Sequence, residues 1–305
     1  MFLEVDLVYP KKLHTHHRDF PLAPERYNVT YNELSPLNQI LYQSMKQNDS
    51  YHTFSEEKLI PTFHERKKYI LHFKCLKFYL SKGLVLKKIH RIVSFKQEPF
   101  LKEYILTLTK LRSICSQKKL TFFVNVFKLL ANSTYGKFCQ NPNNFTYAKL
   151  CLNQRELDKC INSDRFLRAS IINQRVVIVE YKPEEILYNS IFSVASSILD
   201  LAKLHLYNYY YNVLKPNFEP DKVTLLMTDT DSIIFSVNCK NFFEKYKKMP
   251  FVDFSNFKKN NFLYSDKNRK ELLFFKDENP NEFIKEFIGL RSKLHVIKTG
   301  TKKRI

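Results

Sequence analysis

The run Leu225-Leu226-Met227-Thr228-Asp229-Thr230-Asp231-Ser232-Ile233-Ile234-Phe235 constrains this chain more than any other stretch. An apolar segment leads into two carboxylates spaced one residue apart, and a second apolar segment leads out. Such a pattern predicts a strand, a tight turn and a returning strand, with Asp229 and Asp231 at the tip. Held on a rigid hairpin, the two acids could share in binding hard divalent cations, because Mg²⁺ prefers carboxylate oxygens and keeps substrate phosphates in its shell. Two such ions about 4 Å apart clamp an in-line phosphoryl displacement. The plainer alternative is a surface turn, in which Asp and Thr are ordinary residues.

Charge and composition narrow the partners. The formal net charge is +20, with 50 Lys and Arg against 30 Asp and Glu, which favours a polyanion, nucleic acid first and an acidic membrane surface second. A basic protein with no such partner is the competing reading. Only four glycines occur, too few and too scattered for a glycine-rich phosphate loop. The six cysteines form no CxxC pair, so they are expected to be reduced thiols inside a cell rather than a zinc or redox motif. No apolar run reaches membrane-spanning length and no signal peptide is recognisable, which leads to an intracellular expectation and no membrane partner.

Along the chain, a strand is expected at 1–8, a loop to 36, a short helix at 37–46 and a polar loop at 48–55. A strand over 68–73, a helix over 75–81 closed by Gly83, and a strand over 86–95 with one basic and one buried face come next. Helical periodicity then predicts two antiparallel helices across 102–138 joined by a basic turn. A strand at 145–149, a helix at 154–161 and a hairpin of 166–172 with 176–181 follow. A long helix over 189–213 carries Ile191, Val194, Ile198, Leu201 and His205 as its core stripe, with the Tyr207, Tyr209, Tyr210, Tyr211 cluster read as packing first and as DNA stacking second. After the acid hairpin come a short helix at 241–248, a loop at 251–268 and strands at 271–276, 283–290 and 293–298.

A second motif is Lys128-Leu129-Leu130-Ala131-Asn132-Ser133-Thr134-Tyr135-Gly136-Lys137-Phe138. On a helix, Lys128, Asn132 and Tyr135 share one face. A cation, an amide and an aromatic ring there suit a nucleotide, and Gly136 at the helix end permits close backbone contact. An amphipathic helix with a polar edge would look similar.

Together the two motifs resemble family B DNA polymerases, with KxxxNSxYG on the fingers and TDTDS on the palm. Lys137-Phe138, Asn141-Pro142, Leu3-Glu4-Val5-Asp6, Pro21-Leu22-Ala23-Pro24-Glu25, Lys88-Ile89-His90-Arg91, Phe275-Lys276-Asp277-Glu278 and Gly289-Leu290-Arg291-Ser292-Lys293 are similar to the protein-primed branch of Maverick/Polinton-type elements and related viruses. The resemblance implies an α+β right-hand fold, its antiparallel palm sheet packed on helices beside a helical fingers hairpin. Residues 1–97 would follow the first palm motif, 98–140 form the fingers, 141–270 the palm with the acid hairpin, and 271–305 the end of the palm and start of the thumb.

By the same resemblance Asp231 is the main metal ligand for two Mg²⁺ ions, with Asp229 supporting it. Lys128 would bind the triphosphate, and Asn132, Ser133, Tyr135 and Gly136 would shape the nascent base-pair pocket. Lys293 stands at the lysine of a KxY primer grip, whose third position is here His295; Arg291, Thr230 and Ser232 would also face the primer. Arg112, Lys118 and Lys119 would add phosphate contacts, or are solvated helix charge. Partners would be primer–template DNA, dNTP and a terminal-protein primer, in a nucleus or viral replication site. The family's upstream Asp-x-x-Ser-Leu-Tyr-Pro motif is not found; Asp6-Leu7-Val8-Tyr9-Pro10 is one residue short and lacks the Ser, so Asp6 is read as outside the metal set. The chain is therefore expected to be the C-terminal part of a longer polymerase. The expected activity of the longer enzyme is template-directed DNA synthesis, with weak or no extension expected of residues 1–305 alone, and the alternative is a catalytically inactive DNA-binding remnant.

Overall fold

The computed structural model describes residues 1–47, 57–188, 191–280, 282–291, 293–300 and 302–304; the loop expected at 48–55 lies outside them. Period-two alternation in Phe2–Val8 forms β1, with Leu3, Val5 and Leu7 buried. A short turn of helix, α1 (His14–His17), and β2 (Glu25–Tyr27) follow. In α2 (Pro36–Gln47) proline takes the first position, where its missing N–H costs nothing, behind the Ser35 hydroxyl that accepts from Asn38 N–H. Next come β3 (Lys58–Ile60), β4 (Arg66–His72), α3 (Phe73–Ser81) and β5 (Val85–Val93). Gly83, at φ +97, closes α3 as expected: its N–H donates to Leu80 and that of Leu84 to Tyr79.

The expected helix pair forms as α4 (Lys102–Gln117) and α5 (Thr121–Cys139). Then follow β6 (Tyr147–Cys151), α6 (Gln154–Ile161, capped by Asn153), β7 (Phe166–Asn173), β8 (Val176–Tyr181) and α7 (Phe192–Asn208). The last segment carries β9 (Val223–Asp229), β10 (Ser232–Val237), α8 (Phe242–Lys247), β11 (Val252–Asp253), β12 (Phe275–Lys276), β13 (Ile284–Arg291), β14 (Leu294–Thr299) and β15 (Lys302–Arg304).

The chain divides into two compact units, one of Met1–Lys96 with Leu199–Ile305, the other of Gln97–Ile198. The first holds an antiparallel sheet in the order β4-β1-β5, the β9–β10 hairpin, an antiparallel β2–β3 pair, the sheet β13-β14-β15 and a parallel β11–β12 pair. The second holds the α4–α5 hairpin and the sheet β6-β8-β7, with a small core of Cys151, Cys160 and Val179. Mixed helix and sheet agrees with the α+β expectation.

The heart of the first unit is an irregular segment, Phe20 to Pro24, with Leu22 and Ala23 fully buried. Buried backbone outside a helix or sheet must find its hydrogen bonds elsewhere. Here side chains supply them in succession. Tyr211 donates to Phe20 C=O at 2.7 Å, Tyr207 to Pro21 C=O at 3.0 Å, Arg66 Nε to Ala23 C=O at 2.7 Å, and Tyr69 to Pro24 C=O at 3.0 Å. The Leu22 N–H donates to the Tyr9 hydroxyl, which is hydrogen-bonded to His17 Nδ1 at 2.8 Å. Tyr209, Tyr210 and Tyr211 continue α7 as a wider π-helical turn, and all three are buried. Consecutive helical residues point about 100° apart, so burial reaches most of the way round this helix end and leaves Asn212 exposed.

Three sequence expectations are corrected. The stripe on α7 is not the core face: Ile191, Ile198 and Leu201 are more than a third exposed, while Ala195, Leu206 and Tyr207 are buried. Burial in the first unit follows the tyrosines, whose hydroxyls must reach the Phe20–Pro24 carbonyls. β5 has no buried face, since Val85, Ile89, Ile92 and Val93 are exposed. It is an edge strand, and two register shifts against β1 turn its side chains out of a single alternation. The strand expected over 271–276 shrinks to Phe275–Lys276, because Asn268, Lys270 and Leu273 take left-handed φ values of 66°, 60° and 68°.

Removing one hydroxyl tests the carbonyl arrangement. Tyr207→Phe leaves the Pro21 carbonyl buried and unpaired and should lower unfolding stability by about 1–3 kcal/mol in urea titrations. His17 carries a pH signature. Burial pushes its imidazole down to about 4, with His16 and Lys215 adding repulsion. Between about pH 6.5 and 4 the unfolded chain binds a proton that the folded chain refuses, so stability should fall as pH drops through that window, by at most about 1.4 kcal/mol per pH unit. His17→Gln should flatten that part of the stability-versus-pH curve, measured by chemical denaturation.

Candidate active site

The β9–β10 hairpin places both acids as expected. Ser232 pairs with Asp229, leaving Thr230 and Asp231 as the loop. The turn is tight: Asp231 N–H donates to the Asp229 carbonyl across Thr230, which sits at φ +52. A β-branched residue rarely adopts that conformation, so the tip stores backbone strain. The Thr230 hydroxyl donates to Asp229 Oδ1 at 3.2 Å, and the Ser232 hydroxyl to the Asp229 carbonyl at 3.2 Å. Thr230 and Ser232 therefore brace the turn that presents the acids. Asp231 is exposed, and its carboxylate makes no hydrogen bond or ion pair among the described residues.

A second hairpin brings a cation to the same place. Lys293, at φ +64 between β13 and β14, hydrogen-bonds Asp229 Oδ2 through its ammonium. This contact, with the Thr230 hydroxyl assisting, holds the Asp229 carboxyl below the usual carboxylate range. His295, on the strand leaving that tip, adds to the positive field at Asp229. Its ring lies against Phe287, with centroids 6.1 Å apart, and its Nδ1 is buried without a hydrogen-bond partner among the described residues. Arg291 pairs through its backbone with Leu294, and its side chain lies outside what the structure describes. Lys293 and Asp229 were singled out separately in the sequence, but not as partners. They are 64 residues apart and no local pattern links them.

Asp6 has other work. It accepts the Lys68 N–H at 2.8 Å and pairs with His90 Nε2 at 2.8 Å. Lys68 is itself left-handed at φ 51, beside the irregular β1–β4 register, so Asp6 secures a kink in the sheet. The Lys68 N–H and then His90 lower its pKa. Among the described residues no three or more His, Cys, Asp and Glu side chains gather in a group able to hold a metal. The protein's share at the hairpin is thus two carboxylates. That number fits Mg²⁺, which is commonly held by one or two carboxylates and completed by water and substrate phosphates.

The nucleotide-motif residues lie in the other unit, on α5. Lys128, Asn132, Ser133 and Gly136 are exposed and Tyr135 is half-buried. Lys128 has no partner among the described residues. The Ser133 hydroxyl turns back to Leu130 C=O at 3.0 Å, and the Tyr135 hydroxyl is hydrogen-bonded to Cys139, which raises its pKa. Gly136 lies inside the last turn of α5 rather than at its end, and a Cβ there would meet nothing within 4 Å. Packing within the chain thus gives no reason for glycine, which weakens a helix relative to alanine.

A family model described as DNA polymerase type B, organellar and viral, matches residues 36–218, more than half of the chain. No curated protein and no solved structure matches it. The match contains all of α5 and ends before the acid hairpin, so the two observations are independent.

Gly136→Ala separates a helix role from a ligand role. Alanine should stabilise the chain by about 0.5–1 kcal/mol, since the site is open and helical. If a nucleotide or base pair approaches this backbone, the same change should raise the apparent KM for dNTP, measured by steady-state primer extension.

Proposed function

We infer DNA synthesis from the family of this chain and from its acid hairpin: it belongs to the organellar and viral type B DNA polymerases, and outside the matched region it carries two carboxylates on a braced turn. The proposed reaction is template-directed nucleotidyl transfer from a dNTP to a primer 3′-hydroxyl. Asp229 and Asp231 would hold Mg²⁺. When bound, two such ions would activate the attacking oxygen and stabilise the pyrophosphate that leaves.

The remaining roles belong to side chains. In the proposal Lys128 meets triphosphate oxygens as a point charge, and Asn132 and Tyr135, one and two turns further along the same face, bound the nascent base pair. Gly136 leaves room beside them, and Ser133 steadies the helix through its own backbone contact. Lys293 has two tasks: its ammonium balances Asp229 before substrate arrives, and with Arg291 it attracts the primer phosphates. We take α4 and α5 as the fingers and the acid hairpin as part of the palm. A terminal-protein primer, a mobile-element or viral setting, and a replication site in a nucleus or viral factory belong to the same proposal. Catalysis of this kind rests on positioning and charge stabilisation.

The observation that carries this reading is the Asp229–Asp231 hairpin in a chain of this family. One feature favours the second reading, a DNA-binding protein without catalysis: no third acid joins the hairpin among the described residues. Primer extension with purified protein, Mg²⁺ and dNTPs decides between them. Catalysis predicts Mg²⁺-dependent extension that falls at least about 100-fold in Asp231→Ala, the scale on which removal of a charge-stabilising group acts. Primer–template binding with no extension, in a chain lengthened upstream to include an Asp-x-x-Ser-Leu-Tyr-Pro motif, supports the second reading. Equal extension by wild type and Asp231→Ala would remove the hairpin from the mechanism.

A further inference from the structure

Cys151 and Cys160 are given no role above. Cys151 ends β6, and Cys160 lies in the last turn of α6. Their sulfurs are 3.4 Å apart, with Cys151 Sγ donating to Cys160 Sγ. Both are buried, and with Val179 they form the buried core of the Gln97–Ile198 unit's sheet among the described residues, covered by Leu157, Phe166, Val177 and Tyr181. The cover is thin, because the outward positions of β6 and β7 are largely exposed.

The two sulfurs are not equivalent. The Tyr181 hydroxyl and the Cys151 thiol both hydrogen-bond Cys160, and this holds the Cys160 thiol below its ordinary pKa. Burial pushes Cys151 the other way. Reactive thiols combine a stabilised thiolate with access for the oxidant, which here depends on the thin cover, and a resolving thiol within contact distance completes a redox pair. Simple apolar packing of two cysteines does not require a hydroxyl donor aimed at one of them.

We propose that Cys151 and Cys160 are an oxidative modification site, at which a hydroperoxide converts the two thiols into a disulfide. Cys160 thiolate attacks a peroxide oxygen; the S–O bond forms, the O–O bond breaks, and the departing hydroxide takes up a proton. Cys160 is then a sulfenic acid. Cys151 attacks that sulfur, the S–S bond forms and the S–O bond breaks, and hydroxide leaves as water with the proton from Cys151. In sum, two thiols and one hydrogen peroxide give one disulfide and two waters, with two electrons passing from sulfur to oxygen. The bond fastens the end of β6 to α6 and closes a short loop, which restricts the unfolded chain and stabilises the unit.

The test treats the purified full chain with a graded series of hydrogen peroxide, then digests it under non-reducing conditions for peptide mass spectrometry. The expected result is a cross-linked Cys151–Cys160 peptide at peroxide levels that leave Cys75, Cys115, Cys139 and Cys239 as thiols. Dithiothreitol should reverse it, and the oxidised chain should melt at a higher temperature. Cys151→Ser should retain a sulfenic acid at Cys160 that a 1,3-dione probe labels, whereas Cys160→Ser should leave Cys151 unlabelled. The proposal is overturned if the other four cysteines oxidise first, or if Cys160 proceeds to sulfinic acid in the wild type without a cross-link. Equal labelling of the two single variants would overturn the assignment of Cys160 as the attacking sulfur.

Discussion

A stretch of backbone buried without a sheet is the condition that the first unit has to meet. From Phe20 to Pro24 four carbonyls and one N–H lie in buried or half-buried places, those of Pro21, Leu22 and Ala23 shut away from water, and each is met by a side chain. An unpaired buried carbonyl costs more than a made hydrogen bond returns, so the donors are obligatory rather than decorative. This accounts for the crowd of tyrosines at the end of α7. A phenylalanine would fill the same volume, but only a phenol packs as an aromatic and donates at its far end. Arg66, itself buried, performs the same service for Ala23 while its other nitrogens meet Glu25, His64 C=O and Thr62 C=O.

The acid hairpin uses a different principle. Its tip is strained and wet, and it is held by short local contacts from Thr230 and Ser232. Charge is balanced by Lys293 from a second strained tip, in a chain that is already strongly basic. Asp229 therefore arrives at any substrate ionised and oriented, while Asp231 is left open. A site assembled from two hairpins in this way holds Asp229 charged by a partner from the second tip. At Asp229 the Lys293 ammonium outweighs the desolvation that pushes the carboxyl the other way.

Much of the local structure was legible because it is encoded locally. The bounds of α6 follow from Asn153 and the amphipathic run after it, and α5 from its apolar period. The β7–β8 turn follows from Asn173, whose side chain accepts the Arg175 N–H. What escaped was what depends on distant partners. Tyr207 and Pro21 are 186 residues apart, and nothing near either announces the other. The face of α7 was misread because hydrophobic period locates apolar side chains, whereas the tyrosines are placed by their hydroxyl acceptors. The strand β5 was misread because an edge position and two bulges override alternation. Both acids and Lys293 were identifiable from the sequence; the ion pair between Asp229 and Lys293 was not. Gly136 was recognised, but only the open space around it removed a packing explanation.

The first unit is discontinuous, made from Met1–Lys96 and Leu199–Ile305 with about a hundred residues between. During synthesis the Phe20–Pro24 segment must therefore wait for its tyrosines, which emerge long after it. Until then its polar backbone stays hydrated and the sheet β4-β1-β5 has no complete core to cover. Early folding of the intervening Gln97–Ile198 unit would hasten the meeting, since a compacted insert shortens the effective loop that has to close. Assembly of the enclosing core, dominated by long-range contacts, becomes the slow step at which an unfinished chain is exposed to aggregation.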